Sequence, residues 1–229
     1  MRVIINEPLV VKRSTWGRRI MTFGFVILVL AALLSFNRLT LVQAYAVMLA
    51  GLIILNVGLF VGGKWMRKPR PDETLDKALK GLNHGSRLYS YLLPADHVLL
   101  SPPGLYVLTL VFQDGQITAQ GDKWRRRLGL TGSLRALFEP RLGNPSREAR
   151  NEAAKVESWV RARLPDANVP VQPVIVFANP NARLQLEEPS VPAIALADLK
   201  AHLRAALKGK PLPQATLQAL TDLCDEQAA

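Results

Sequence analysis

The feature that most limits what this chain can become is a pair of apolar runs set two residues apart. Residues 20–36 and 39–63 contain no charged side chain, and only Asn37 and Arg38 lie between them. A bilayer core ~30 Å thick takes about 20 residues of helix. The first run is near the lower limit, and the second is long enough to span with tilt. A link this short forces an antiparallel helical hairpin. A secretory signal peptide is the competing view of the first run. It has the basic start and apolar middle, but no small-x-small cleavage site follows and a second apolar run comes at once.

Orientation follows from the flanks. Lys12, Arg13, Arg18 and Arg19 precede the first run, Lys64, Arg67, Lys68 and Arg70 follow the second, and the turn offers Arg38 alone. Loops beside a span that carry Lys and Arg stay in the cytoplasm. Both ends are therefore expected there, in a multi-pass protein of the cell (inner) membrane. Trp16 and Trp65 flank the pair at interface depth. Gly58 and Gly62 form a small-xxx-small pair that lets helices approach closely. Packing within the hairpin is the plain reading, and a homodimer or an integral membrane partner is the sharper one. Asn56 is the one strongly polar side chain deep in the second run, and a hydrogen bond across the hairpin is its expected use.

The formal charge of +11 invites a nucleic-acid reading, and its distribution argues against one. Residues 1–70 hold ten Lys and Arg against one acid, Glu7, whereas residues 71–229 hold 19 against 17. The excess sits beside the apolar runs, where anionic lipid explains it better. The single cysteine, Cys224, forms no intrachain disulfide and fits a reducing compartment. His84, His97 and His202 are scattered, without zinc spacing. His84 and Ser86 share a helix-to-strand loop that lacks a nucleophile elbow.

Beyond the runs the chain reads as α/β. Pro71, Asp72 and Glu73 start a helix with acids in its first turn, and Leu75, Ala78, Leu79 and Leu82 give its apolar spacing. Residues 87–93, 96–101 and 104–112 read as strands. Asp114-Gly115 reads as a tight turn making residues 104–117 a β-hairpin, and residues 116–128 supply one or two strands more. Asn144-Pro145 opens a long helix with Ala149, Ala153, Val156, Trp159 and Val160 as its apolar stripe and Glu148, Arg150 and Glu152 on the solvated side. Strands at 169–178 and 191–196 and two closing helices follow. The expected architecture is one mixed sheet flanked by helices, preceded by the transmembrane hairpin. The segments are a basic N-terminal stretch (1–19), two transmembrane helices (20–63), a basic juxtamembrane linker (64–71) and a cytoplasmic domain (72–229).

The stretches DHVLLSPPGLYVLTLVFQDGQI, GDKWRRR, NPSREARNEAAKVESWV, PVIVFANPNARLQL and VPAIALADL, in this order, resemble the nuclease-related domain (NERD) family. That family belongs to the PD-(D/E)xK nucleases, so the resemblance implies a restriction-endonuclease-like fold over roughly residues 72–225. It implies a Mg²⁺-dependent phosphodiesterase centre as well. An Asp opening a strand is matched by Asp96, and a Glu on the first helix by Glu73. The Glu-x-Lys of the next strand falls on Thr109 and Val111, and the helix glutamine after Asn-Pro falls on Glu148. Carboxylates would hold the ion, which wants oxygen ligands, and the lysine would position the attacking water. Thr109 brings no negative charge and Val111 no donor, so the centre is expected to hold no metal. Asp96 is either a residual ligand or a cap on a strand end, and Glu73 either a ligand or a helix-dipole acid.

Three functions follow from this resemblance. The first is a catalytically inactive, nuclease-like binding module on the cytoplasmic face, a pseudo-enzyme without cofactor. The second is a nuclease whose metal site is relocated to Asp96, Glu73 and Glu148, with Mg²⁺ as cofactor. The third is an accessory subunit of a larger membrane complex. Lys123, Arg125 and Arg127 share one strand face and could grip phosphate or a lipid headgroup. Charge protecting a solvated strand edge is their plainer use. The expected partners are membrane lipids, with nucleic acid the weaker candidate because no aromatic side chains interleave the cluster.

Overall fold

The computed structural model describes residues 1–66, 68–82, 85–128 and 141–228. Arg67 and His84 lie outside the described residues. The chain divides into two compact units, Asn6–Glu73 on one hand and Met1–Ile5 with Thr74–Ala229 on the other.

The first unit is a pair of long helices, α1 (Glu7–Leu34) and α2 (Leu41–Met66), joined through a 3-10 turn at Arg38–Thr40. Both are long and apolar enough to cross a membrane. α1 begins well before the first apolar run. Asn6 caps it, its side-chain oxygen accepting the Leu9 N–H at 3.0 Å, and Pro8 and Glu7 occupy the first turn. Lys12, Arg13, Arg18 and Arg19 are thereby helical. Thr40 ties the turn back by donating to the Leu34 carbonyl at 2.7 Å.

Seven-residue spacing of small side chains builds the seam. Gly17, Gly24 and Ala31 are buried on α1, and Ala44, Gly51 and Gly58 on α2. A Cβ added at Gly17 would stand 2.5 Å from the Gly62 Cα, and one at Gly58 2.7 Å from the Met21 nitrogen. The helices touch backbone to backbone, which only glycine allows. The expected hydrogen bond of Asn56 across the hairpin is not formed. Asn56 is exposed and donates to the Leu52 carbonyl of its own helix at 2.8 Å. Its place explains this, because two residues of helix turn about 200° and Gly58 already faces α1.

The second unit holds a six-stranded mixed sheet in the order β1 (Arg2–Ile5), β2 (Arg87–Ser90), β3 (His97–Ser101), β4 (Gly104–Val111), β7 (Val171–Phe177), β9 (Ala193–Ala195). Only β2–β3 and β3–β4 are antiparallel. One face carries Val98, Leu100, Leu105 and Val107 against α4 (Pro145–Arg163) and α6 (Gln214–Glu226). The other carries Leu88, Leu99, Tyr106, Leu108, Val174 and Val176 against α3 (Pro71–Leu79) and α5 (Leu196–Ala206). Alternation along each strand sends successive side chains to these two layers.

Two expectations fail here. There are two sheets, since β5 (Gly115–Gln120), β6 (Lys123–Arg127) and β8 (Ala182–Glu187) form a separate one in the order β6-β5-β8. Residues 104–117 also make no hairpin. β4 pairs with β3 and β7, while β5 pairs with β6 and β8. β4 runs parallel to β7 and β5 parallel to β8, so a two-strand ribbon passes through both sheets and bends once. One more residue separates Phe177 from Ala182 than Val111 from Gly115, as at a bulge. The corner is closed by Ala178 N–H donating to Val111 O (2.8 Å) and by the Asn179 side chain donating to Phe112 O (3.0 Å). Gly115 has φ +87, and a Cβ there would stand 2.7 Å from the Arg127 carbonyl. Asp-Gly signals a positive φ, not which strand pairs with which, and here it serves a corner.

Candidate functional site

Thr109 is only 5% exposed in the middle of β4, and a buried hydroxyl needs a partner. It donates to one carboxylate oxygen of Glu152 at 2.8 Å. Glu152, expected on the solvated side of α4, is instead half-buried. Ala149, Ala153, Val156 and Val160 form the buried stripe of α4. Glu152 stands three residues after Ala149 and four before Val156, on the border of that stripe. Val111 is sealed in an apolar cluster with Ile117, Ala149, Ile175 and Phe177.

Asp96 immediately precedes β3 and is half-buried. Its carbonyl accepts the Tyr91 N–H at 2.7 Å, closing the β2–β3 connection, where Tyr91 takes φ 63. Val98 pairs with Val107 in antiparallel register, so two further residues carry Asp96 toward Thr109. Glu148 is exposed on α4. Glu73 caps α3: its carboxylate accepts the backbone N–H of Arg70 at 3.1 Å and lies 3.4 Å from that guanidinium. Arg70 also pairs with the buried Asp72 at 2.8 Å. Burial works against the Arg70 charge, and the bond to Asp72 with the surrounding acids overcomes it, raising its pKa.

The chemistry of this donor set does not fit Mg²⁺ in the arrangement the resemblance implies. Thr109, which the resemblance aligns with the second carboxylate, spends its proton on Glu152, and Val111, which it aligns with the lysine, is sealed among apolar side chains. Among the described residues no three His, Cys, Asp or Glu side chains gather to hold a metal ion.

The small sheet carries the other candidate surface. Lys123, Arg125 and Arg127 are exposed on one face of β6, with Trp124 and Arg126 turned to the opposite side. Trp124 lies against Phe177, ring centres 5.8 Å apart, and donates to Ser146 at 2.9 Å. Arg126 donates to the Asp114 carbonyl at 2.9 Å and pairs with its carboxylate, bracing the corner. Register extends the basic face across three strands. Arg127 pairs with Gln116 and Gln116 with Arg183; Arg125 pairs with Thr118 and Thr118 with Gln185. Arg183 lies on β8, whose Ala182, Leu184 and Leu186 are half-buried while Arg183, Gln185 and Glu187 are exposed; the apolar/polar alternation of ARLQLE is the sequence signal for this strand. The only acid on this face of the three strands is Glu187, beside Gln120. None of Lys123, Arg125, Arg127 and Arg183 takes part in an ion pair among the described residues.

Two polar knots fix helices to these sheets. Arg150 of α4 binds Asp122 in the β5–β6 turn at 2.5 Å and Ser190 at 2.7 Å. The hydrogen bonds from Arg150 and Ser190 hold Asp122 below the usual carboxylate range. On α6, Asp225 accepts from Tyr89 at 2.6 Å and pairs with Arg87. Burial opposes its charge, and the bonds from Tyr89 and Arg87 outweigh that, so its pKa is lowered. Beside it the buried Cys224 thiol is pushed up to about 12, chiefly by burial.

The strand that opens on an Asp, the apolar strand after it and the Asn-Pro helix over their face all fall within one known pattern. Residues 73–178 match the family model of the nuclease-related domain. This stretch is a nuclease-related domain. The NERD match runs from α3 to the end of β7 and includes Asp96, Thr109, Val111 and Glu152. β8, β9, α5 and α6 follow it. No curated protein and no solved structure matches the chain.

Proposed function

We propose that this chain is a membrane-anchored NERD protein that does not cleave nucleic acid and acts as a binding module on the cytoplasmic face. The observation that carries the reading is the bond from Thr109 to Glu152, with Val111 sealed in an apolar cluster. At the two positions where the family places an anionic ligand and a lysine, this chain builds an internal contact and packing. Anchoring is supported by two helices that leave large apolar side chains outside, Phe23 at 61% and Phe60 at 88% exposure among them. The basic flanks favour cytoplasmic ends. The ligand that fits the face of Lys123, Arg125, Arg127 and Arg183 is a phosphate group on an anionic lipid. Trp124 points away from that face and so offers no stacking platform for bases.

The test is a cleavage assay of the purified full chain on plasmid DNA and on RNA with Mg²⁺ and with Mn²⁺. No cleavage above a buffer control is expected. Cleavage lost in both Asp96→Ala and Glu152→Gln would overturn the reading. It would establish instead a nuclease whose second carboxylate comes from α4, the alternative that the approach of Glu152 to position 109 favours.

A further inference from the structure

We infer that α2 joins a second copy of this chain along the stripe Val42, Leu49, Asn56 and Gly63, with Asn56 bonded to its counterpart. The inference rests on the membrane reading above. α2 has two seams, and α1 fills only one. Gly58 and Gly62 are consumed by Gly17 and Met21 of the same hairpin, so the small-xxx-small pair offers nothing to a partner. The opposite side of α2 presents residues at the same seven-residue spacing: Val42 at 80% and Leu49 at 60% exposure, then Asn56 and Gly63. Leu52 and Phe60 flank them, also exposed.

Asn56 is what makes this stripe more than lipid-facing surface. It lies eight residues before Lys64, ~12 Å at helical rise, and so inside the hydrocarbon. Of its two amide hydrogens one goes to Leu52 O, and its carbonyl oxygen accepts nothing among the described residues. Hydrocarbon supplies no partner, and a polar side chain left unmatched there favours helix association. A carboxamide is donor and acceptor at once, so it complements itself. Copies inserted with the same topology bring residue 56 to the same depth, where two carboxamides satisfy each other. A foreign helix would have to offer a matched group at that depth. Gly63 adds room for close approach, because nothing lies within 4 Å of where its Cβ would be.

The experiment is disulfide trapping of the full chain in its native membranes, after an alkaline wash to verify integration. Cys224 is fully buried and stays out of the reaction. Leu49→Cys and Gly63→Cys are expected to give covalent dimers on mild oxidation, whereas Val26→Cys on α1 gives none. Adding Asn56→Leu is expected to raise the dimer dissociation constant in bilayers roughly 3- to 15-fold, and Asn56→Gln to restore trapping. Integrated protein that shows no dimer overturns the inference. So does a dimer indifferent to Asn56→Leu, or trapping only to a different, heavier protein. Release by the alkaline wash removes the membrane reading itself, a separate result.

Discussion

At position 109 a hydroxyl inside an apolar strand meets a carboxylate from a helix, and each satisfies a group that burial would otherwise leave costly. Thr109→Val keeps the shape and removes the donor, so it is expected to destabilise the domain by about 1–3 kcal/mol, while Thr109→Ser stays near the parent. Denaturant unfolding of the detergent-solubilised chain measures both. A second residue-scale expectation concerns Cys224. With no exposed surface and a thiol pKa pushed up to about 12, it should resist alkylation at pH 8 and label fully once the chain is unfolded. Asp225 gives the pH dependence. Its folded pKa is lowered, so its contribution is present above the unfolded value, ~3.9, and is lost as pH falls below that toward the folded value. Asp225→Asn should remove that part of the acid sensitivity, read as a smaller drop in unfolding midpoint between pH 5 and pH 3. At this scale the lack of charge at Thr109 and Val111 is legible directly in the sequence. The sequence does not show Glu152 as the partner, because a residue on the border of a helical stripe is assigned only when the facing strand is known.

Among the elements, legibility follows how local the deciding physics is. The hairpin was readable because a charge-free run is a property of contiguous residues. So was α4, whose cap and stripe lie within its own sequence. β1 was hidden because Arg2–Ile5 is a four-residue strand whose pairing with β2 closes over more than eighty residues of chain. The Asp114-Gly115 corner resembles a hairpin locally for the same reason. The parallel partner β7, far along the chain, takes the edge of β4 that a hairpin would have given to β5. Element-scale chemistry is testable at the helix seam. Gly17→Ala sets a methyl 2.5 Å from the Gly62 Cα, so the helices must separate at a point that has no room for a side chain. A loss of about 1–3 kcal/mol is expected, seen as a lower unfolding midpoint in dodecyl sulfate titrations. Gly63→Ala, whose Cβ meets nothing within the hairpin, should leave the midpoint of the monomeric hairpin in place.

For the whole molecule the deciding quantity is where charge sits. The hairpin and its flanks hold most of the excess positive charge, yet the near-balanced remainder still concentrates four cations on one sheet face by strand register alone. Each basic side chain near an anionic bilayer contributes ~1 kcal/mol, and a tethered domain spends no translational freedom to reach it. A fluorophore at Gln116, in the middle of that face, should therefore be quenched by nitroxide-labelled headgroups in nanodiscs containing phosphatidylserine, and much less in neutral ones. Sodium chloride at ~1 M shortens the screening length to ~3 Å and should reverse the quenching. Changing Lys123, Arg125, Arg127 and Arg183 together to Gln should abolish it without lowering the unfolding midpoint, since none of the four is engaged in an internal ion pair among the described residues. Equal quenching in neutral and anionic discs, or protection of the fluorophore by single-stranded RNA instead, would assign the face to another ligand.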